Sequence, residues 1–337
     1  MIKLGVIFGG ISTENEVSVK SGNSILNNLN KEKYDIFPIY IDKSGEWYEY
    51  ANNKKIENVT EYLKNMDVVF PVLHGLYGED GTIQGLLELL KIPYVGCKVL
   101  ASSVGMDKAY TKVIFEKAKI NQANYIYVKK YKENKFIYVD DSLIETKIDL
   151  DEIINLVNKK LKYPVFVKPS NSGSSVGVNK TENDEELRKN IEIAIKFDSK
   201  ILIEQGIVGK EVECAVLGNS EIGVEASRVG EILSAEDFYT FDAKYENQNS
   251  KTVIPASITV EQAQEIRDLA VKAFKAIDGS GLSRVDFFVE NETGKIYINE
   301  INTMPGFTNI SMYPKLMEDL GYNNTVLLDK LIEMALK

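Results

Sequence analysis

Apolar positions along the chain alternate between two textures. Short runs of β-branched and aromatic residues at 2–8, 36–41, 68–73 and 94–95 are separated by longer helix-like stretches, including 17–29 and 83–90. Short apolar runs bounded by turn residues predict buried strands, and apolar residues spaced three and four apart predict amphipathic helices. Their alternation predicts an α/β layer on a largely parallel sheet, with ligands at the carboxyl ends of its strands. Two of those ends run into unusual loops, Gly9-Gly10-Ile11-Ser12-Thr13-Glu14 and His74-Gly75-Leu76-Tyr77-Gly78-Glu79-Asp80-Gly81. The pattern changes over 98–107, where a unit boundary is expected. Beyond it the sequence predicts a helix over 108–119, strand and loop to Asp140, and a strand over 163–168. A Gly/Ser loop follows, then a helix capped near Thr181 with Asp184 and Glu185 in its first turn, and a strand over 201–204. A third region begins at Gly206 and closes with helices. The expected units are therefore 1–97, 98–205 and 206–337.

Within the third region, 284–290 and 295–302 flank the turn Asn291-Glu292-Thr293-Gly294 and predict a β-hairpin. Pairing symmetric about Thr293 sets Asp286 opposite Glu300 and Arg284 opposite Asn302. Side chains two apart share a face, so Asp286, Glu300 and Asn302 gather on what is expected to be the inward face. Facing like charges are destabilising, and two carboxylates with an amide oxygen suit Mg²⁺, a hard ion that takes few protein ligands. The competing reading is a surface network in which Arg284 neutralises the acids.

Composition narrows the partners. The chain has 337 residues, 44% of them hydrophobic and 27% charged, enough for two or three domains. A formal net charge of −10 argues against nucleic acid and anionic membrane, either of which needs a basic face. Small-molecule substrates are expected. Cys97 and Cys214 stand far apart in apolar surroundings and suggest buried thiols of a reducing compartment. An apolar strand opens the chain without a charged leader, and no run reaches membrane-spanning length, so a cytoplasmic location is expected.

The segment Lys168-Pro169-Ser170-Asn171-Ser172-Gly173-Ser174-Ser175-Val176-Gly177 ends a strand with a lysine and continues into small residues whose amides can approach an oxyanion. It lacks the spacing of a P-loop or a dinucleotide fingerprint, and an ordinary hairpin connection is the bland alternative. Lys108, Lys168, Arg284 and a metal cluster together can neutralise a triphosphate. Glu204 and Glu211 flank Gln205-Gly206-Ile207-Val208, suited to an adenine edge and ribose hydroxyls, or else are solvated acids at a strand end. His74, the single histidine, is either a proton shuttle or a hydrogen-bonding brace. Glu79 and Asp80 suit helix capping or support of their loop. Trp47 suits packing beside a turn.

Taken in order, Gly9 to Glu14 with Val17-Ser18, the His74 to Gly81 loop with Gln84-Gly85, Met106-Asp107-Lys108, the loop after Lys168, and Asn299-Glu300-Ile301-Asn302-Thr303-Met304-Pro305-Gly306-Phe307-Thr308 resemble the D-alanine:D-alanine ligases of the ATP-grasp superfamily. The likeness spans nearly the whole chain. It implies an α/β fold with an N-terminal parallel-sheet (pre-ATP-grasp) domain followed by two α+β ATP-grasp subdomains. It also implies an ATP-dependent enzyme that joins two D-alanines through an acyl phosphate for peptidoglycan, working as a homodimer with two Mg²⁺ ions for which Mn²⁺ can substitute. By the same resemblance, Lys108, Lys168, Ser175, Glu204, Gln205, Gly206, Ile207 and Glu211 contact the nucleotide, and Asp286, Glu300 and Asn302 hold metal. Glu14 resembles the acid that takes the first ammonium, with Ser174 and Tyr245 as companions. Arg284 and the Gly306 amide resemble the oxyanion site. Lys244, Ser311 and the Met312 amide resemble the receivers of the second carboxylate, with His74 beside the reacting groups, and residues 235–252 resemble a lid. Two departures stand out: Asn15 occupies a position where the family commonly has histidine, and Ser172 one where a charged residue is common. Met312 stands where D-lactate- and D-serine-forming relatives often carry arginine. With Tyr245 retained, it implies D-alanine as acceptor, with D-serine or another carboxylate-amine pair as the alternative.

Overall fold

The computed structural model describes residues 1–173, 176–233 and 251–337. The first sheet has the order β4-β3-β2-β1-β5. Its centre is parallel: β1 (Ile2–Gly9) lies between β2 (Tyr34–Ile41) and β5 (Val68–Pro71). The edge strands β3 (Trp47–Glu49) and β4 (Lys54–Lys55) are antiparallel. Helix α1 (Asn15–Asn28) follows β1, and its Gly22 lies so close to Phe8 that a methyl group there would strike the ring. Short α2 (Val59–Leu63) precedes β5, and α3 (Thr82–Leu90) follows the second predicted loop. Trp47 packs among partly buried side chains of this layer, as expected.

Helix α4 (Val99–Met106) occupies the stretch where the pattern changes, and α5 (Lys108–Lys117) follows it. Asp107 caps α5, accepting from the amides of Ala109 and Tyr110. The second sheet is antiparallel, with order β10-β9-β11-β6-β7-β8. It comprises β6 (Tyr125–Lys132), β7 (Lys135–Val139), β8 (Glu145–Asp149), β9 (Val165–Pro169), β10 (Asn179–Thr181) and β11 (Lys200–Gln205). Its helices are α6 (Leu150–Lys160), with a complete capping box from Asp149 and Glu152, and α7 (Asp184–Ala194). The cap of α7 corrects the sequence reading. Asn183 accepts from the Glu186 amide, whereas Thr181 ends β10, buried and hydrogen-bonded by Asn190. Asn offers a stronger cap than Thr, and it sits directly before the acidic first turn.

The third sheet, β14-β13-β12-β15-β16, is also antiparallel. Its strands are β12 (Gly209–Asn219), β13 (Gly223–Leu233), β14 (Lys251–Val253), β15 (Gly281–Glu290) and β16 (Ile296–Asn302), backed by α8 (Val260–Ala276). The terminal helices α9 (Met312–Asp319) and α10 (Asn324–Ala335) join the first and third sheets, because Leu4 and Phe8 of β1, Leu217 of β12, Leu282 of β15, Tyr313, Leu327 and Leu331 share one core. Among the described residues no helix is long and apolar enough to cross a membrane. Both cysteines are buried and unbridged, and burial pushes each thiol up to about 12.

Candidate active site

The predicted hairpin forms, and its register brings Arg284 opposite Asn302 and Asp286 opposite Glu300. Symmetry about Thr293 holds only for that outer half. Nearer the turn Phe287 opposes Ile298, so Asn299 is an extra residue and the ladder carries a bulge. Ile298 and Glu300 are two apart yet face opposite sides, which corrects the expectation of an acidic inward face. Val285, Phe287, Val289, Ile296, Ile298 and Ile301 form the core face, and the acids occupy the other. The bulge allows one short strand to serve a dry side and a charged side.

A third carboxylate joins them. Glu213 on β12 opposes Asp286 on β15, so Glu213, Asp286 and Glu300 form a row across three strands. Arg284 bridges the row: Nε and Nη2 donate to the two oxygens of Asp286 at 2.7 Å each, and Nε lies 3.0 Å from Glu213 Oε2. Asp286 is 1% exposed, and Asn302 Nδ2 donates to it at 3.1 Å. Lys108 Nζ stands 3.8 Å from Glu300 Oε2 and donates to the Ser172 carbonyl at 2.7 Å. Among the described residues no three His, Cys, Asp or Glu side chains are disposed to hold a metal by themselves. The donor chemistry still fits Mg²⁺: Asp286, Glu300 and the oxygen of Asn302 are hard ligands on one face, few in number, as an ion completed by water and phosphate requires.

One cleft unites residues from the first and third sheets and the Gly/Ser loop. Glu14, His74, Glu79, Lys108, Ser172, Gly173, Glu213, Arg284, Glu300, Asn302, Gly306, Ser311 and Met312 all line it. Glu14 precedes α1 and is buried. A side chain at Gly75 or Gly173 would collide with its carboxylate, and Gly75 also has φ +72, so both positions are suited to glycine. Glu79 accepts from the Gly75 amide at 3.0 Å and supports the loop, whereas Asp80 accepts from the Thr82 amide at the start of α3. Burial, and then the nearby Glu14 carboxylate, raise Glu79 well above the usual carboxylate range. Asn15 is buried, and its amide donates to the Gly10 carbonyl at 2.6 Å, so this departure from the family pattern braces the first loop.

His74 is buried with both nitrogens engaged. Nδ1 lies 3.2 Å from the Met304 carbonyl and Nε2 3.0 Å from Ser21 Oγ. A carbonyl can only accept, so Nδ1 carries the proton in the neutral ring and Nε2 accepts from Ser21. Ser21 Oγ in turn accepts from the Phe307 amide at 3.1 Å. Burial pulls the His74 pKa down to about 4, and Arg284 adds to that effect. The imidazole is therefore neutral near pH 7 and ties the 304–307 loop to α1. That loop presents Gly306, next to Ser311, whose Oγ lies 2.7 Å from Thr308 Oγ1 just before α9.

A second group lies on two adjacent inner strands of the second sheet. Lys168 on β9 and Glu204 on β11 meet at 2.5 Å, and Lys112 on α5 pairs with the other Glu204 oxygen. Burial would raise Glu204, but the two lysines overcome it and hold the carboxyl at about 2. The amides of Gln205 and Gly206 bond to the carbonyls of Asn124 and Pro164, so neither is available to a base edge. Ile207 follows, and Glu211 lies in β12 opposite Ile232 and Phe288. None of Lys168, Glu204, Gln205, Gly206, Ile207 and Glu211 lines the cleft described above. Ser174, Ser175, Lys244, Tyr245 and most of 235–252 fall outside the described residues. Sequence reasoning passed over Ser21, Lys112 and Glu213. A polar side chain on an inward helical face signals the first two, and a glutamate inside a β-rich run signals the third.

Comparisons with known proteins extend over the same span. A family model described as the D-ala D-ala ligase N-terminus matches residues 3–97, and one described as the D-ala D-ala ligase C-terminus matches 114–333. The chain is 48% identical to a D-alanine–D-alanine ligase of Clostridium acetobutylicum, covering 99% of this chain and 97% of the relative. It is 50% identical to another from Acetivibrio thermocellus, covering 98% and 95%. Among solved structures, the VanG D-Ala:D-Ser ligase from Enterococcus faecalis superposes with a TM-score of 0.85 at 37% identity, covering 99% of each chain. The D-alanine-D-alanine ligase from Coxiella burnetii gives 0.81 at 32% identity, covering 99% of this chain and 94% of the other. Matches that run from one end of the sequence to the other make this chain a member of the D-alanine–D-alanine ligase family.

Proposed function

We propose that the protein is an ATP-dependent ligase that joins two D-alanine molecules for peptidoglycan synthesis. The observation that carries this reading is the cleft in which Glu14, just before α1, meets Arg284 on β15 and Gly306 and Ser311 in the loop before α9. Glu14 receives the ammonium of the first D-alanine. A carboxylate oxygen of that substrate attacks the γ-phosphorus of ATP, ADP leaves, and an acyl phosphate forms. The amine of the second D-alanine then attacks the acyl carbon. Arg284, held by Glu213 and Asp286, and the amide of Gly306 stabilise the tetrahedral oxyanion, and phosphate departs as the peptide bond forms. Ser311, the Met312 amide and Lys244 hold the second carboxylate. Ser174 and Tyr245 are the hydrogen-bonded companions of Glu14 beside the second substrate; a tyrosine with a pKa of about 10 orients the amine first and relays its proton second. His74 acts as the brace of the oxyanion loop.

Lys108 and Lys168, with Ser175, bind the phosphates, Gln205 to Ile207 pass the base, and Glu211 takes the ribose. Asp286, Glu300 and Asn302 are the ligands for Mg²⁺, which when bound neutralises phosphate charge in phosphoryl transfer. The domains divide at 97 and 205, the protein acts in the cytoplasm, and it forms a homodimer. D-Serine as acceptor is the second reading, favoured by the structural likeness to a D-Ala:D-Ser ligase; Met312 and Tyr245 favour D-alanine. Phosphate release measured with D-alanine, D-serine, D-lactate and L-alanine decides the matter. Turnover with D-alanine is expected, and preference for L-alanine overturns the reading.

A further inference from the structure

We propose that Lys112 is a positioning residue for the nucleotide: it holds the Glu204 carboxylate so that Lys168 is released to the phosphates when ATP binds. The inference rests on the nucleotide-binding reading above. The geometry is a carboxylate with one lysine on each oxygen, Lys112 on Oε1 and Lys168 on Oε2. Two cations on one anion leave a surplus positive charge, which is what a phosphate would take up. The two lysines are not equivalent. Lys112 sits on the buried face of α5 with its side chain 5% exposed, while that of Lys168 is 15% exposed.

A buried charge that loses its counterion is strongly destabilising. If Lys168 were the sole partner of Glu204, its departure for a phosphate would strand the carboxylate; Lys112 removes that obstacle. Burial lowers the Lys112 pKa and the neighbouring Lys168 adds to this, while Glu204 opposes it, so each charge in the trio depends on the others. Lys108 and Lys112 are one helical turn apart on α5, and Lys108 reaches Ser172 and Glu300. One helix thus supplies a cation to the cleft and another to the Glu204 pair.

The test is ATP affinity by calorimetry without D-alanine, in Lys112→Met, Glu204→Gln and the double variant. Lys112→Met is expected to weaken ATP binding at least about tenfold in the Glu204 background and by less than about twofold in the Gln background, where no charge needs holding. An unchanged affinity in Lys112→Met, or the same loss in both backgrounds, overturns the proposal. Should Lys112→Met fail to fold, a crystal structure of the unsubstituted protein with ADP decides. Lys168 Nζ on phosphate with Lys112 still on Glu204 is expected, and Lys168 still on Glu204 overturns the proposal. An unsubstituted protein that binds no ATP overturns the functional reading as well, whereas equal binding by wild type and Lys112→Met overturns only the role of Lys112.

Discussion

Ser21→Ala removes one oxygen from the joint between α1 and the 304–307 loop. Ser21 is fully buried and serves two partners, accepting from the Phe307 amide at 3.1 Å and donating to His74 Nε2 at 3.0 Å. Alanine leaves a buried donor and a buried acceptor unmet, each costing roughly 1–3 kcal/mol. Together they should destabilise this region by about 2–6 kcal/mol, far above the small cost of the missing oxygen's packing. The loop carries Gly306, so kcat should fall as well. Because a chain of 337 residues need not unfold in one step, the local readout is hydrogen exchange at the Phe307 amide. A loss of 2 kcal/mol corresponds to about 30-fold faster exchange. Exchange within threefold of the unsubstituted protein, with unchanged kcat, would refute the argument that this serine holds the loop.

Glu300→Gln removes a charge from the acidic row and should abolish turnover while leaving the circular dichroism spectrum intact; normal turnover sinks the metal assignment. Burial lowers the folded pKa of His74 to about 4 from an ordinary value of 6.5, so the unfolded chain binds the extra proton first. The part of the stability that His74 supplies should therefore be nearly full above pH 6.5 and fall by about 3 kcal/mol as the pH drops to 4, while Glu79, raised in the fold, changes in the opposite direction. The difference in urea midpoint between the unsubstituted protein and His74→Gln checks it across that range, and a difference that stays constant with pH would refute it. Cys97 and Cys214, with thiols near 12, should resist a thiol-labelling reagent at pH 8 in the folded protein and react fully in denaturant. Fast labelling of either in the native state would contradict the burial.

The parallel core of β2, β1 and β5 and the helices around it were legible because each of these strands is a short apolar run between turn residues. The pairing of Asp286 with Glu300 was also legible, although the sequence carries no sign of the bulge at Asn299 that gives the acids their own face. The α7 cap was misassigned because several capping residues crowd 179–184, and only the hydrogen bond to the Glu186 amide distinguishes Asn183. Glu213 and Lys112 stayed hidden for another reason. Their meaning depends on partners 71 and 92 positions away, Arg284 and Glu204, and no local pattern encodes such a meeting. In the cleft, the glycines and the acid-rich segments were visible, while the serine and histidine that bind the loops together gained their roles only from packing.

The joint of Ser21, His74, Met304 and Phe307 couples the two ends of the chain, since Phe307 lies 286 residues beyond Ser21. On a ribosome, the first sheet is complete long before its polar partner has been synthesised, so the cleft is among the last features to mature. Divided into two polypeptides, each fragment would carry one side of this bonding pattern, and fragment complementation would depend on their rejoining there.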